Sequence, residues 1–220
     1  MRIINIALDG PSGSGKSTVA KILSKKFDIL YLDTGAMYRA TAVKALSLGI
    51  DTFDEKGVSS FIKDIDLNIV YKDGAQVTIL DGKDVSKRIR EPEVSMAASN
   101  ISSLKIVREK MVDMQRKIAA NLSCVLDGRD IGTVVLPNAE YKFFITAAPE
   151  VRADRRYKEL TEKGYKVDYN ALLEEIKQRD YNDSHREIAP LKPAEDAVMI
   201  DTSDMTIEEV VDKIVSYIKV

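Results

Sequence analysis

Five short apolar runs, separated by stretches of helical periodicity, limit the possible folds of this 220-residue sequence more than any other feature. The runs lie at residues 3–8, 29–32, 124–127, 142–146 and 197–201. Runs of this length and composition are typical of parallel strands buried on both faces. The helical periodicity between them predicts amphipathic helices that cover the sheet. We therefore predict an α/β fold, with a five-stranded parallel sheet and helices on both faces.

One segment interrupts the alternation of strands and helices. Residues 66–85 contain two stretches of alternating hydrophobicity joined by a turn at 72–75, and a further Asp-Gly pair follows at 81–82. This pattern predicts a small antiparallel meander rather than a βαβ unit. With its neighbouring helices we interpret it as an insertion at about 58–100 that can move relative to the main sheet. The chain as a whole, 1–220, is predicted to form a single domain that includes this insertion.

The composition argues against several partners. The formal net charge is only −2, so no global field attracts nucleic acid or an anionic membrane, and no run of 18 apolar residues is present. Cys124 is the only cysteine. A single cysteine cannot form an internal disulfide, which fits a reducing compartment. Its place in an apolar run favours a small buried side chain. We predict a cytoplasmic monomer that binds neither nucleic acid nor membrane.

A phosphate-binding motif follows the first predicted strand and opens the first predicted helix. Residues 10–17 match G-x-x-x-x-G-K-[ST] in full. In such a loop the backbone N–H groups surround an anion, the lysine reaches the β and γ phosphates, and the hydroxyl can bind magnesium. We therefore predict that this loop binds the triphosphate of a nucleotide together with Mg²⁺. The residues predicted to bind this triphosphate are Gly10, Pro11, Ser12, Gly13, Ser14, Gly15, Lys16, Ser17 and Thr18.

Two other nucleotide-binding interpretations fit less well. The dinucleotide fingerprint G-x-G-x-x-G/A is almost matched from Gly13, but Thr18 stands where its third small residue belongs. A guanine nucleotide switch would carry N-K-x-D after the later strands, and this sequence has no such motif. Residues 54–57 match D-x-x-G inside a predicted helix, which we interpret as coincidence.

Arginines at several places predict an anionic acceptor for the phosphoryl group. Arg39 follows the second strand, and Arg129 and Asp130 follow the third. The carboxyl ends of parallel strands form the edge at which open α/β sheets bind ligands. We therefore expect these three residues to converge on one cleft.

Two predicted helices carry further cations. Arg152, Arg155 and Arg156 are spaced to share one helix face, and so are Arg179, Asp183 and Arg186. If the acceptor is a phosphate, its second ionisation near pH 6 makes it nucleophilic at neutral pH without a general base. Repulsion between the two anions then becomes the main obstacle, which guanidinium groups, magnesium and Lys16 would offset.

The stretches DGPSGSGKST, YLDTGAMYRA, DGRDIGTVVLP and REIAPL together resemble the bacterial cytidylate kinase family, a group of nucleoside monophosphate kinases. The resemblance covers essentially the whole chain, including the inserted meander. It implies transfer of the γ-phosphoryl group of ATP to CMP or dCMP. It also implies three parts: a core sheet, an insert that binds the monophosphate, and a short helical lid at about 150–186.

The resemblance also implies roles for single residues. Thr34, Arg39, Arg129 and Arg186 would hold the acceptor phosphate. Ser99, Arg108 and Asp130 would read the cytosine edge, and Asp183 would bond the sugar hydroxyls. Arg155, Arg156 and Arg179 would close over the transferring phosphoryl group with Lys16 and Arg129, and Asp127 would orient Mg²⁺ through water. Asn182 and Ser184 occupy positions that can be arginine in relatives, so the lid has fewer cations here.

Two alternatives stay open on the residues alone. The acceptor could be AMP, UMP or a metabolite. The chain could instead be a regulatory module that binds ATP without transferring its phosphoryl group.

Overall fold

The computed structural model of the chain describes residues 3–72 and 74–219. These residues form two compact units. One comprises the chain up to Tyr31 together with the part from Leu122 onward, and the other is Leu32–Asn121. The predicted insertion, 58–100, lies within the second unit, and its mobility stays a prediction.

The five predicted core strands are confirmed. They are β1 (Asn5–Asp9), β2 (Leu30–Asp33), β6 (Cys124–Gly128), β7 (Tyr141–Thr146) and β8 (Val198–Asp201). They form one sheet in the order β2-β6-β1-β7-β8, and β1 pairs in parallel with both β6 and β7. Because β1 is central, its apolar side chains are fully buried, as the unbroken apolar run predicts.

The helices of the first unit are α1 (Lys16–Phe27), α6 (Pro149–Glu162), α7 (Tyr169–His185) and α8 (Ile207–Tyr217). Of these, α1 and α8 pack against this sheet. The three-residue spacing of Thr206 and Glu209 predicts a capping box at the start of α8, and the structure confirms it, since each side chain accepts from the other residue's backbone N–H. A five-residue π-helix, Ile131–Val135, follows β6. Cys124 is buried on β6 as predicted, and burial raises the pKa of its thiol to about 12.

The predicted lid range coincides with α6 and α7, which have a small core of their own. It is formed by Ala153 and Leu160 of α6 and by Leu172 and Ile176 of α7. Whether these helices move as a lid stays a prediction.

The second unit contains the predicted meander. Its strands β3 (Leu67–Lys72), β4 (Ala75–Leu80) and β5 (Lys83–Asp84) form an antiparallel sheet. The turn between β3 and β4 includes Asp73, which lies outside the described residues. The helices of this unit are α2 (Thr34–Ser47), α3 (Glu55–Ile62), α4 (Pro92–Ile101) and α5 (Lys105–Ala119), with a short 3₁₀ helix at Arg88–Arg90.

Candidate active site

The phosphate-binding loop joins β1 to α1, and its glycines adopt conformations that other residues rarely do. Gly10, Gly13 and Gly15 have φ values of 142°, 77° and 91°. At Gly10 a Cβ would lie 1.9 Å from the carbonyl oxygen of Ile145, so a side chain cannot be accommodated. The N-terminus of α1 has no side-chain cap, which leaves its first N–H groups and the positive end of the helix dipole for an anion.

Lys16 lies inside this loop rather than on the helix surface. The residue is 4% exposed, and its Nζ donates to the Pro11 carbonyl at 2.6 Å and to Ser14 Oγ at 3.3 Å. Burial, and then the charge of Arg129, lower the pKa of Lys16 to about 7. Because a nearby anion favours the protonated amine, binding of a polyphosphate would restore its charge.

The two residues predicted to bind magnesium, Ser17 and Asp127, are in direct contact. The Ser17 hydroxyl donates to Asp127 Oδ2 at 2.6 Å, and the Tyr31 hydroxyl donates to Oδ1 at 3.1 Å. These hard oxygen donors suit Mg²⁺. Within residues 3–72 and 74–219 no cluster of three His, Cys, Asp or Glu side chains could hold a metal. A magnesium ion here would therefore take its remaining ligands from phosphate and water, as is common at nucleotide sites.

Arg129 lies directly after β6 and is held by a carboxylate of α7. Its Nε donates to Asp183 Oδ2 at 2.8 Å, and both side chains are largely buried. Burial by itself would raise the pKa of Asp183, but Arg129 and Arg179 outweigh it and lower that pKa. The pair therefore stays ionised, and Asp183, predicted as a ligand of sugar hydroxyls, also orients Arg129.

Asp130 and Arg186, which were predicted to bind different parts of the acceptor, are neighbours. Arg186 NH2 lies 3.6 Å from Asp130 Oδ1, and both side chains are 6% exposed. Arg186 Nε also donates to the Ala189 carbonyl at 2.6 Å, which anchors the guanidinium just beyond α7. Arg186, a cation that can bind a phosphate, thus lies beside Asp130, a carboxylate that can accept a hydrogen bond from an exocyclic amine.

Two of the three predicted lid arginines lie near the phosphate-binding loop. Arg179 NH1 donates to Ser12 Oγ at 3.3 Å. Arg155 donates to the Thr202 carbonyl at 2.7 Å, and the Thr202 hydroxyl bonds the carbonyl of Ser14 in the loop.

The third lid arginine, Arg156, pairs with a residue of its own helix. Its NH1 donates to Glu159 Oε2 at 2.8 Å. The side chains of Asn182 and Ser184 make only local contacts among those that the structure describes. Asn182 accepts from Gln178, while Ser184 bonds backbone carbonyls of α7 and lies 3.0 Å from His185 Nδ1.

The second unit holds the other predicted acceptor residues. Thr34 is buried at the start of α2, and Arg39 follows one turn later. Arg39 NH2 donates to both carboxylate oxygens of Asp33, at 3.1 and 2.9 Å, while Asp33 also caps α2 by accepting from the Ala36 N–H. The Arg39 guanidinium is thereby fixed at the N-terminal end of the helix.

The two residues predicted to read the base, Ser99 and Arg108, are also in this unit. Both are buried, on α4 and α5 respectively. Arg108 NH1 donates to the Ser102 carbonyl at 3.3 Å, and its guanidinium lies 5.7 Å from the ring centroid of Tyr38. Thr34, Arg39, Ser99 and Arg108 thus lie in the second unit, and the other predicted residues lie in the first. The convergence of Arg39 with Arg129 and Asp130 stays a prediction.

The family model for cytidylate kinase matches residues 6–220. The chain belongs to the cytidylate kinase family. Cytidylate kinase from Caldicellulosiruptor saccharolyticus is 52% identical over 214 residues, which cover 97% of this chain and 95% of that protein. Cytidylate kinase from Clostridium tetani is 51% identical, with 97% of this chain and 92% of that protein covered.

A solved structure of shikimate kinase from Bacteroides thetaiotaomicron shares the fold of this cytidylate kinase family member. The TM-score is 0.50 at 12% identity, with 98% of both chains covered. In the described part of the chain, no helix is both long and apolar enough to cross a bilayer.

Sequence reasoning missed Arg90 in this member of the cytidylate kinase family. Arg90 NH2 donates to Asp33 Oδ2 at 2.6 Å, so the carboxylate that holds Arg39 holds a second arginine. Burial alone would raise the pKa of Asp33, but Arg39 and Arg90 lower it to about 2. No local signal marks Arg90, because its partner lies 57 residues earlier in the chain.

Asp9, the last residue of β1, was also missed. Its two carboxylate oxygens each accept a backbone N–H at 2.7 Å, one from Ile131 and one from Gly132. A Cβ at Gly132 would lie 3.3 Å from Asp9 Oδ2. Asp9 therefore fixes the start of the π-helix that follows Arg129 and Asp130. Burial, opposed by these two hydrogen bonds, raises the pKa of Asp9 to about 6.

The raised pKa of Asp9 predicts a pH-dependent effect on stability. A carboxyl group that binds its proton more tightly in the folded state stabilises the fold as the pH falls below its folded pKa. Between pH 8 and pH 5, we expect the free energy of unfolding of the wild type to gain about 1.4 kcal/mol relative to Asp9→Asn, by urea denaturation.

Asp201→Asn provides a control of opposite sign. Ser203 lowers the pKa of Asp201, so there the wild type should lose stability relative to the variant as the pH falls. Equal pH dependence of the wild type and Asp9→Asn would show that burial does not perturb Asp9.

Proposed function

We propose that this protein transfers the γ-phosphoryl group of ATP to CMP, and also to dCMP, to form the corresponding diphosphate. Membership of the cytidylate kinase family supports this acceptor. The observation that carries the proposal is the set of charges around the phosphate-binding loop. Lys16 lies inside the loop, Arg179 bonds Ser12, and Arg129 is close enough to lower the pKa of Lys16.

The roles of the acceptor residues are part of this proposal. Thr34, Arg39, Arg129 and Arg186 bind the CMP phosphate, Ser99, Arg108 and Asp130 bind the base, and Asp183 bonds the ribose. Since the phosphate dianion is itself a nucleophile near neutral pH, no side chain has to remove a proton. The arginines instead offset the repulsion between the two anions and orient them for in-line transfer.

Ser17 and Asp127 are the residues that would hold Mg²⁺, directly or through water. The ion would supply positive charge to the phosphates of ATP. Lys16, Arg155, Arg156 and Arg179 would surround the transferring group and exclude water once both substrates are bound. That the protein is cytoplasmic and monomeric stays a prediction. The single buried Cys124 is in keeping with a reducing compartment but says nothing about the oligomeric state.

Consumption of ATP with each nucleoside monophosphate offered separately tests the proposal. We expect little turnover with ATP and Mg²⁺ alone, and rapid formation of ADP on addition of CMP or dCMP, because the catalytic arrangement requires both substrates. Faster turnover with AMP or UMP than with CMP would contradict the acceptor assignment. Turnover that does not change when any acceptor is added would favour a regulatory ATP-binding module.

A further inference from the structure

Arg152 shares a helix face with Arg155 and Arg156 in the sequence, but the structure places it in a different environment. It lies in the first turn of α6, and its side chain is 2% exposed. It is among the largest fully buried side chains of the described residues. A guanidinium group buried to this extent must be bonded closely by its surroundings.

The buried guanidinium of Arg152 connects three parts of the first unit. Its Nε donates to the Ala147 carbonyl after β7 at 2.9 Å, and NH1 donates to the Ser12 carbonyl in the phosphate-binding loop at 3.0 Å. NH1 and NH2 also bond the two oxygens of Asp180 on α7, with NH1 to Oδ1 at 3.0 Å. This two-pronged pairing fixes the orientation as well as the distance.

Ser12 is consequently held from two sides. Arg152 of α6 bonds its carbonyl, and Arg179 of α7 bonds its hydroxyl. Because Arg179 and Asp180 are consecutive, the Arg152–Asp180 pair also determines where the Arg179 backbone lies relative to the loop. A Cβ at Gly13 would lie 3.3 Å from the Cβ of Arg152, so the loop backbone passes close to this side chain.

Stability alone is a weak reason for such a pair. Desolvating a guanidinium and a carboxylate is costly, and well-packed apolar residues are often as stable as a buried ion pair. A bidentate pair does provide a defined geometry, and small displacements of catalytic groups reduce rates strongly.

We propose that Arg152 is a positioning residue for phosphoryl transfer, which connects Ser12 to Asp180 and thereby places Arg179 over the phosphate-binding loop. Arg152 itself does not touch the transferred group. The proposal rests on the phosphoryl transfer proposed above.

Steady-state kinetics of Asp180→Asn tests this role, with Glu150→Gln as the matched control. Both changes neutralise the acidic member of an ion pair between α6 and α7, but the Glu150–Lys177 pair is exposed. For Asp180→Asn we expect kcat per folded molecule to fall about 10- to 100-fold with KM for ATP and CMP changed less than about threefold. Glu150→Gln should leave all three values unchanged. Arg152→Lys, if it folds, should resemble Asp180→Asn, because lysine keeps the charge but lacks the planar fork.

A double-mutant cycle with Arg179→Met separates positioning from general stability. If Asp180 and Arg152 act through Arg179, Asp180→Asn should lower kcat little further in a protein that already carries Arg179→Met. An equal loss of kcat with and without Arg179 would overturn the proposal. So would a lower melting temperature accompanied by an unchanged kcat per folded molecule.

Hydrogen exchange provides a readout that does not depend on CMP. A non-hydrolysable ATP analogue should protect the backbone amides of residues 176–183 in the wild type and in Glu150→Gln, but much less in Asp180→Asn. Equal protection in all three proteins would overturn the proposal. If the wild type made no CDP but showed this difference in protection, the proposed acceptor would fail while the positioning role of Arg152 would stand.

Discussion

Replacing Lys16 with methionine is expected to lower kcat for CDP formation by about 1,000-fold, yet to leave the substrate-free protein at least as stable as the wild type. The catalytic loss follows because the amine is expected to stabilise charge on the transferring phosphoryl group inside a desolvated loop. Methionine keeps most of the side-chain length without the charge. Kinetics with saturating ATP and CMP measure the first effect, and urea denaturation measures the second.

The gain in stability follows from the pKa of Lys16. Burial, with Arg129, lowers the pKa from its ordinary value of 10.5 to about 7. The folded state therefore binds this proton more weakly than the unfolded state. The resulting cost is on the order of 4 kcal/mol at pH 7.5 and disappears as the pH rises to about 10.5. Lost hydrogen bonds to Pro11 and Ser14 offset part of the gain.

Lys21→Met is the matched control, because Lys21 is exposed on the same helix. It should change neither kcat nor stability appreciably. The difference in free energy of unfolding between Lys16→Met and the wild type should shrink as the pH rises from 7 to 9.5. Near-normal CDP formation by folded Lys16→Met would contradict the catalytic role. Loss of both activity and stability would instead show that Lys16 is needed to form the loop.

Arg186→Ala should raise KM for CMP by about 100- to 1,000-fold while changing KM for ATP only slightly. The guanidinium is almost fully buried beside Asp130, so its removal deletes a desolvated cation and leaves a buried carboxylate facing the incoming phosphate. Truncation of one member of a buried charge pair typically costs about 2–5 kcal/mol, or about 30- to 5,000-fold in affinity, and the expected rise lies in the middle of that range. Initial rates with CMP and ATP varied in turn provide the two constants.

Lys177→Ala tests whether any loss of positive charge on α7 has the same effect. Lys177 is exposed on α7, and its removal should leave KM for CMP within about twofold of the wild type, as expected for a solvated charge. A rise in KM for ATP rather than CMP in Arg186→Ala would assign this residue to the donor side. Melting temperatures should be measured as well, because Arg186→Ala removes a positive charge beside Asp130. The charge of Asp130 contributes to the raised pKa of Asp9, so the change can also affect stability.

Features with a local cause could be predicted from the sequence with good accuracy. The five core strands, the meander and the capping box of α8 depend on residues that are close in the chain, and all are confirmed. The glycines of the phosphate-binding loop belong to the same class, since their positive φ values are a local requirement.

Side-chain partners could not be predicted in the same way. Helical spacing groups Arg152, Arg155 and Arg156, yet the first is buried against Asp180, the second bonds Thr202 and the third pairs with Glu159. Spacing determines which side chains share a face of a helix but not what another element presents to that face.

The sequence by itself therefore determined the α/β class, the position of the phosphate-binding loop and the surplus of arginines near the strand ends. Only the tertiary structure decided that Asp9 fixes the segment after Asp130, that Arg90 joins Arg39 at Asp33, and that Arg152 connects Ser12 to Asp180. The physical reason is that propensities and hydrophobic periodicity act between near neighbours in the chain. A buried charge, in contrast, has to be paired by whichever group the fold brings beside it.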